Sequence, residues 1–130
     1  MDKFIDKLYT FEDYVEMGGV AIEAIEIAEQ QLGVSFSDEY RNYLLKCGCA
    51  SANGHEFTGI CASARINVVN VTILRRKNTK DIMKNAYVVE EMLIDGIVIW
   101  QTTEGQIYKS QGNRFDKICE NLFEFIELFA

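Results

Sequence analysis

Four side chains with metal-binding or nucleophilic chemistry fall within fifteen residues: Cys47, Cys49, His55 and Cys61, in CGCASANGHEFTGIC. Three thiolates and an imidazole make a zinc set. The spacing argues against it, because structural sites place about two to four residues between paired ligands. Here one residue separates Cys47 from Cys49, and Cys47 falls on a helix face that the apolar pattern assigns to the core. Small buried cysteines account for these residues as well. His55 is the sole histidine, so a cysteine–histidine nucleophile would have to use it. Such a pair needs a thiolate held against the imidazole and a donor for the oxyanion. No local signature of that kind surrounds Cys47, Cys49 or Cys61, and His55 reads as a solvated loop residue.

Other candidates are weaker. Asp38-Glu39 sits where a helix begins, so dipole and capping explain it, and Glu90-Glu91 is one more acidic pair in an acidic chain. No glycine-rich phosphate loop occurs. Arg75-Arg76-Lys77, with Lys80 and Lys84, lacks interleaved aromatics and reads as a solvated helix end. The residues therefore point to no catalytic group, no metal and no cofactor.

The elements that must position these residues follow from periodicity. Phe4, Ile5, Leu8, Phe11 and Val15 share helical spacing over Lys3 to Glu16, with Asp2 as cap and Met17-Gly18-Gly19 as the stop. A second helix covers Val20 to Leu32, with Ile22, Ile25, Ala28 and Leu32 as its apolar stripe and Gly33 behind it. Ser37 caps a third helix, Asp38 to Cys47, which buries Tyr40, Tyr43, Leu44 and Cys47 and turns Arg41 and Lys46 to water; Gly48 stops it. Ala50 to His55 is a polar loop with an Asn53-Gly54 turn, and Glu56 to Cys61 a strand in which Gly59 implies a close backbone approach. Ala86–Glu91, Ile97–Gln101 and Gln106–Lys109 read as an antiparallel meander, with Asp95-Gly96 as a tight turn and Trp100 in the core. Gln111-Gly112-Asn113 breaks it. A last helix, Phe115 to Leu128, presents Phe115, Ile118, Cys119, Leu122, Phe125, Ile126 and Phe129 to the sheet. The segment INVVNVTIL, Ile66 to Leu74, is β-branched and by propensity a strand.

At 130 residues, 48% hydrophobic and 12% aromatic, the chain suits one domain over residues 1–130, with a core that needs no staples. No apolar run approaches the roughly 18 residues of a membrane span. The start, MDKFIDKLYTF, is not a secretory signal, so the expected address is the cytoplasm, with reduced thiols. The net charge of −7 is uneven. Residues 1–40 hold ten acidic side chains and two basic ones, whereas residues 41–130 hold ten acidic and eleven basic. An acidic third repels phosphate, which argues against nucleic acid. It suits a basic protein partner reached with electrostatic help, or acidic helix surfaces kept for solubility alone.

One stretch carries more than composition. Ile25, Glu29, Leu32-Gly33, Phe36, Tyr40, Leu44 and Gly48, followed by Gly54, Glu56 and Gly59-Ile60, resemble the SUKH superfamily. The family pattern is I-x3-E-x2-L-G, an L-P step, a tyrosine-bearing helix and a later G-x-E-x-x-G-I strand. This chain departs from it at Ser37, where the family usually has proline; a serine cap can start the same helix.

The resemblance implies an α+β fold, an antiparallel sheet of about four to six strands packed against several helices. It implies a helix over Asn67 to Lys77, against intrinsic propensity. It gives Glu29 a hydrogen-bonding role within the fold. It also implies a non-enzymatic binding protein: many bacterial members are immunity proteins that neutralise a cognate polymorphic toxin, often a nuclease, while fungal relatives regulate cell-wall synthesis through protein contacts. A general regulatory or scaffolding module is the alternative, and a small zinc- or cysteine-dependent enzyme a third. The expected partner is a basic toxin, without nucleic acid or membrane, for a monomer or weak homodimer. Charge placement alone nominates the docking acids: Glu12, Asp13, Glu16, Glu23, Glu26, Asp38 and Glu39.

Overall fold

The computed structural model describes residues 2–77 and 84–128. Lys80 and Phe129, both assigned roles above, lie outside the described residues. In chain order the elements are α1 (Lys3–Leu8), β1 (Val15–Glu16), α2 (Ile22–Leu32), α3 (Asp38–Cys47), β2 (Ala50–Ala52) and β3 (His55–Glu56). A short 3-10 turn (Ala64–Ile66) leads to α4 (Val68–Arg76), β4 (Ala86–Glu91), β5 (Val98–Thr102), β6 (Ile107–Gln111), β7 (Arg114–Cys119) and α5 (Leu122–Leu128). The fold is α+β. Strands β1-β2-β3 and β4-β5-β6-β7 form two antiparallel sheets, and they join where Phe57 bridges Glu90.

α3 runs between its sequence signals. The Ser37 hydroxyl accepts the Tyr40 N–H, and Gly48 at φ 69° ends the helix. α4 is helical despite its β-branched residues. Asn67 caps it by accepting from the N–H groups of Val69 and Asn70, and Val68, Val71 and Thr72 are buried. A cap and a buried stripe outweigh propensity here.

Two expected helices are shorter than their apolar spacing suggests. α1 stops at Leu8; Phe11 and Tyr14 then pass through turns, and Val15–Glu16 pairs with Ala50–Ser51 as an edge strand. The last helix begins at Leu122, because Arg114–Cys119 is the strand β7, paired along β6 after the Gly112 turn. Phe115 and Ile118 are three residues apart, which reads as helical, yet the turn at Gly112 lays the segment along β6, and this tertiary pairing overrides the local spacing. The polar loop at Ala50 is in fact a hairpin: β2 and β3 flank a two-residue Asn53-Gly54 turn with positive φ at both residues.

Tyr87, Val89, Ile99 and Ile107 face the main core, with Phe4, Ile5, Leu8, Tyr40, Tyr43, Leu44, Phe57, Leu122, Phe125 and Ile126. The alternate residues Ala86, Val88, Val98 and Trp100 pack with Val71 of α4, and Tyr108 and Phe115 border them. Strands β4, at the edge of its sheet, and β5, inside it, are therefore covered on both faces, which is why they read as nearly continuous apolar runs. Trp100 is buried and donates its indole N–H to Ser110.

Gly59 makes the close approach expected of it. A side chain there would collide with the Gly48 carbonyl and the Cys49 Cα, and one at Gly48 would collide with the Gly18 carbonyl.

Candidate functional site

The cysteine–histidine constellation does not converge as a set: Cys49 and Cys61 adjoin, whereas Cys47 and His55 bond other residues. Cys47 is buried on α3 and accepts from the Tyr14 hydroxyl at 3.3 Å. The Cys49 thiol bonds the Phe57 carbonyl at 3.3 Å. Burial, with the adjacent Cys61, pushes that thiol up to about 12, so it is held as the inert protonated form. Among the described residues, no group of three or more His, Cys, Asp or Glu is disposed to hold a metal ion.

His55 is not the solvated loop residue that its position implies. It is buried, and its Nδ1 lies 2.9 Å from the Glu90 carboxylate. Its ring stacks on Phe57 and meets the edge of Phe125. The hairpin carries it inward to the joint between the two sheets.

Arg75 and Arg76 also differ from a solvated helix end. Arg75 pairs with Glu91. The Arg76 guanidinium donates to the carbonyls of Leu32, Lys84 and Ala86, tying α4 to the end of α2 and the start of β4.

The glutamate of the first motif works inside the fold. Glu29 accepts the Phe36 N–H at 2.8 Å and pairs with Arg41 at 3.3 Å. It thereby fixes the step from α2 to α3. Beyond it, Ser37 donates its N–H to Tyr87 and its hydroxyl to Gln101, and Tyr87 donates to the same Gln101 oxygen.

The seven nominated acids are spread over the surface. Glu12, Glu16, Glu23, Glu26 and Asp38 are exposed. Asp13 is exposed too, but its carboxylate caps the β2–β3 turn by accepting from Asn53 and Gly54. Those backbone N–H groups, Asn53 first, hold its acid strength above that of a free aspartate.

Glu39 has an internal task. Its carboxylate accepts from the N–H groups of Leu122 and Phe123 and from the Gln101 amide, at 2.7, 3.0 and 3.1 Å. It is the acceptor for the first turn of α5. Burial nevertheless raises its pKa, outweighing the donors that lower it.

Among the described residues, the acids border separate depressions. Glu16 borders a groove of about 290 Å³ with the exposed Val15 and Met17. Glu26 lines another with Glu29 and Gly33, and Asp38 and Glu39 a third with Arg41 and Glu104. A further cleft of about 390 Å³ lies where the β2–β3 and β4–β5 hairpins adjoin, and Glu56, Glu90, Leu93 and Ile94 help line it. Its signal in the sequence was Met92-Leu93-Ile94, an apolar run set directly before a turn rather than inside a strand.

Among the described residues, no helix is long and apolar enough to cross a membrane. A SUKH family model described as SMI1-KNR4 cell-wall matches residues 22–126. No curated protein matches the chain.

Proposed function

The chain belongs to the SUKH superfamily, and from that premise we propose that it is an immunity-type protein that neutralises a cognate toxin by binding it. The binding needs no chemistry from this chain. The observation that supports the reading is the placement of charge. Glu12, Glu16, Glu23, Glu26 and Asp38 stand exposed on the acidic N-terminal part, and no ion pair within the described residues engages them. Unpaired surface charge of one sign contributes little to folding, but it steers a partner of the opposite sign. A basic toxin, acting in the cell that makes both proteins, is such a partner.

The test captures a basic partner with the tagged protein from its own cells at low and high salt, then follows growth of cells expressing that partner with and without this protein. Rescue by the wild type, and slower association when the five acids become lysine, support the reading. Association rates should fall roughly tenfold or more at low salt, with a smaller effect at high salt. Failure of the wild type to rescue or to bind that partner would remove the reading.

The cell-wall description of the matched model favours a second reading, a regulatory module that works through protein contacts. It is distinguished by stable binding to a host protein in cells that lack the toxin gene.

A further inference from the structure

Among the described residues, the two most exposed large apolar side chains are neighbours: Leu93 and Ile94, 87% and 68% exposed. They occupy the tip of the β4–β5 hairpin, where a turn normally carries polar residues. The tip is rigid. Ile97 donates its N–H to the Ile94 carbonyl, and Asp95 and Gly96 both have positive φ, the tight hairpin turn whose twist matches its strands. Gln111 donates to the Asp95 carbonyl and braces the turn from β6. Two aliphatic side chains are thus held in water on a preorganised support, which lowers the ordering cost of placing them in a partner.

The charge beside the tip selects that partner. Glu56, Glu90 and Glu91 line the cleft between the two hairpins, Glu90 buried at its base, and no lysine or arginine among the described residues lines it. Arg65, His55 and Arg75 respectively bond these carboxylates. Those bonds orient the oxygens without using all their acceptor sites. Asp13 adds a further carboxylate at the adjoining Asn53-Gly54 turn.

We propose that Leu93 and Ile94 are the apolar anchor of the docking surface, received by an apolar depression on a basic protein whose Lys or Arg side chains meet the Glu56 and Glu91 carboxylates at the mouth of the cleft. This rests on the toxin-binding reading and names the part of the surface that holds the partner. The dispersed acids act on approach, whereas the hairpin tip sets how long the complex lasts.

The experiment titrates three purified forms of the chain into the basic partner protein captured from its own cells, in a form that no longer inhibits growth. They are the wild type, a Leu93→Ala/Ile94→Ala variant and an Ile73→Ala/Leu74→Ala control that trims exposed aliphatics on α4. Thermal melts accompany each titration. The proposal expects the hairpin variant to melt with the wild type and bind about 10- to 100-fold more weakly, chiefly through faster dissociation. The control should bind within about twofold of wild type.

Wild-type binding with an unchanged hairpin variant would overturn the anchor and leave the toxin reading standing. No binding by the wild type would overturn both. Two further arms decide other occupants. Sedimentation showing a wild-type dimer that the hairpin variant abolishes would assign the tip to a second copy of this chain. Flotation of the wild type, but not the variant, with phosphatidylcholine–phosphatidylglycerol vesicles would assign it to a lipid surface. Either result overturns the proposal.

Discussion

Replacing Gly59 with alanine should be among the most damaging single-methyl additions to this chain. The Cβ would stand 2.8 Å from the Gly48 carbonyl carbon and 2.9 Å from Cys49 Cα, and closer still to the Gly48 oxygen. Each obstacle is backbone, so no rotamer change relieves the overlap. The segment must move, and three bonds hold it: Gly59 N–H to Ile66, Val68 N–H to Gly59, and Ile60 N–H to Gly48. Overpacking costs about 1–3 kcal/mol, and weakening one or two of these bonds adds about 1 kcal/mol each. The expected loss is therefore about 2–5 kcal/mol, or roughly 7–18 °C in Tm for a chain of this size.

Gly33→Ala is the matched comparison. Gly33 has φ +67° but nothing within 4 Å of an added Cβ. Left-handed strain of about 1–2 kcal/mol, partly offset by reduced freedom of the unfolded chain, leaves a net loss of roughly 1 kcal/mol. Urea unfolding followed by Trp100 fluorescence and far-ultraviolet circular dichroism measures both variants. If Gly59→Ala costs no more than Gly33→Ala, the close backbone approach does not constrain the fold and the reasoning fails.

Three other outcomes follow from buried polar groups. Burial raises the Glu39 pKa above its ordinary 4.5, so the folded state binds its proton more readily than the unfolded state. The stability of wild type relative to Glu39→Gln should therefore fall as pH rises from about 4.5 through the raised value; a rise over that window, in urea titrations at several pH values, would show that the three donors dominate. Thr72 accepts the Val88 N–H in the core, so Thr72→Val should cost about 1–3 kcal/mol by leaving that donor unpaired, while Thr72→Ser should keep the bond, as calorimetry would show. The Cys49 thiol, buried and pushed up by that burial and the adjacent Cys61, should be alkylated by iodoacetamide at pH 8 at least about tenfold more slowly in the native protein than in urea, read by mass spectrometry; equal rates would contradict its protected environment.

Much of the fold was legible where local chemistry and tertiary packing agree. α3 is bounded by its serine cap and its glycine stop, and β4 by the length of AYVVEE. The Asn53-Gly54 and Asp95-Gly96 turns follow from residues that tolerate positive φ. The helix α4 needed the family resemblance, since VVNVTIL alone favours a strand and the deciding cap is a single asparagine. The misread segments, from Phe11 to Glu16 and from Phe115 to Cys119, have apolar residues at spacings that satisfy both periods. Only the partner strands β2 and β6 decide between them, and pairing is not a local property.

The chemistry was less legible than the fold. His55 looked wet because its neighbours in sequence are polar, yet the hairpin delivers it to Glu90, thirty-five residues away. Glu39 looked like one more surface acid, and its true use depends on residues more than eighty positions later.

That last separation also sets an order in time. Glu39 holds the first turn of α5 across 83 residues, and Lys7 of α1 reaches Glu127 of α5 at 3.3 Å. A ribosome adds about 5–20 residues per second, so α3 is made roughly 4–17 s before the turn it clamps exists. Until then Phe4, Ile5 and Leu8 of α1 lack the helix that covers them. The early part of the chain waits for the late part, and the protein acquires its finished form only as α5 docks.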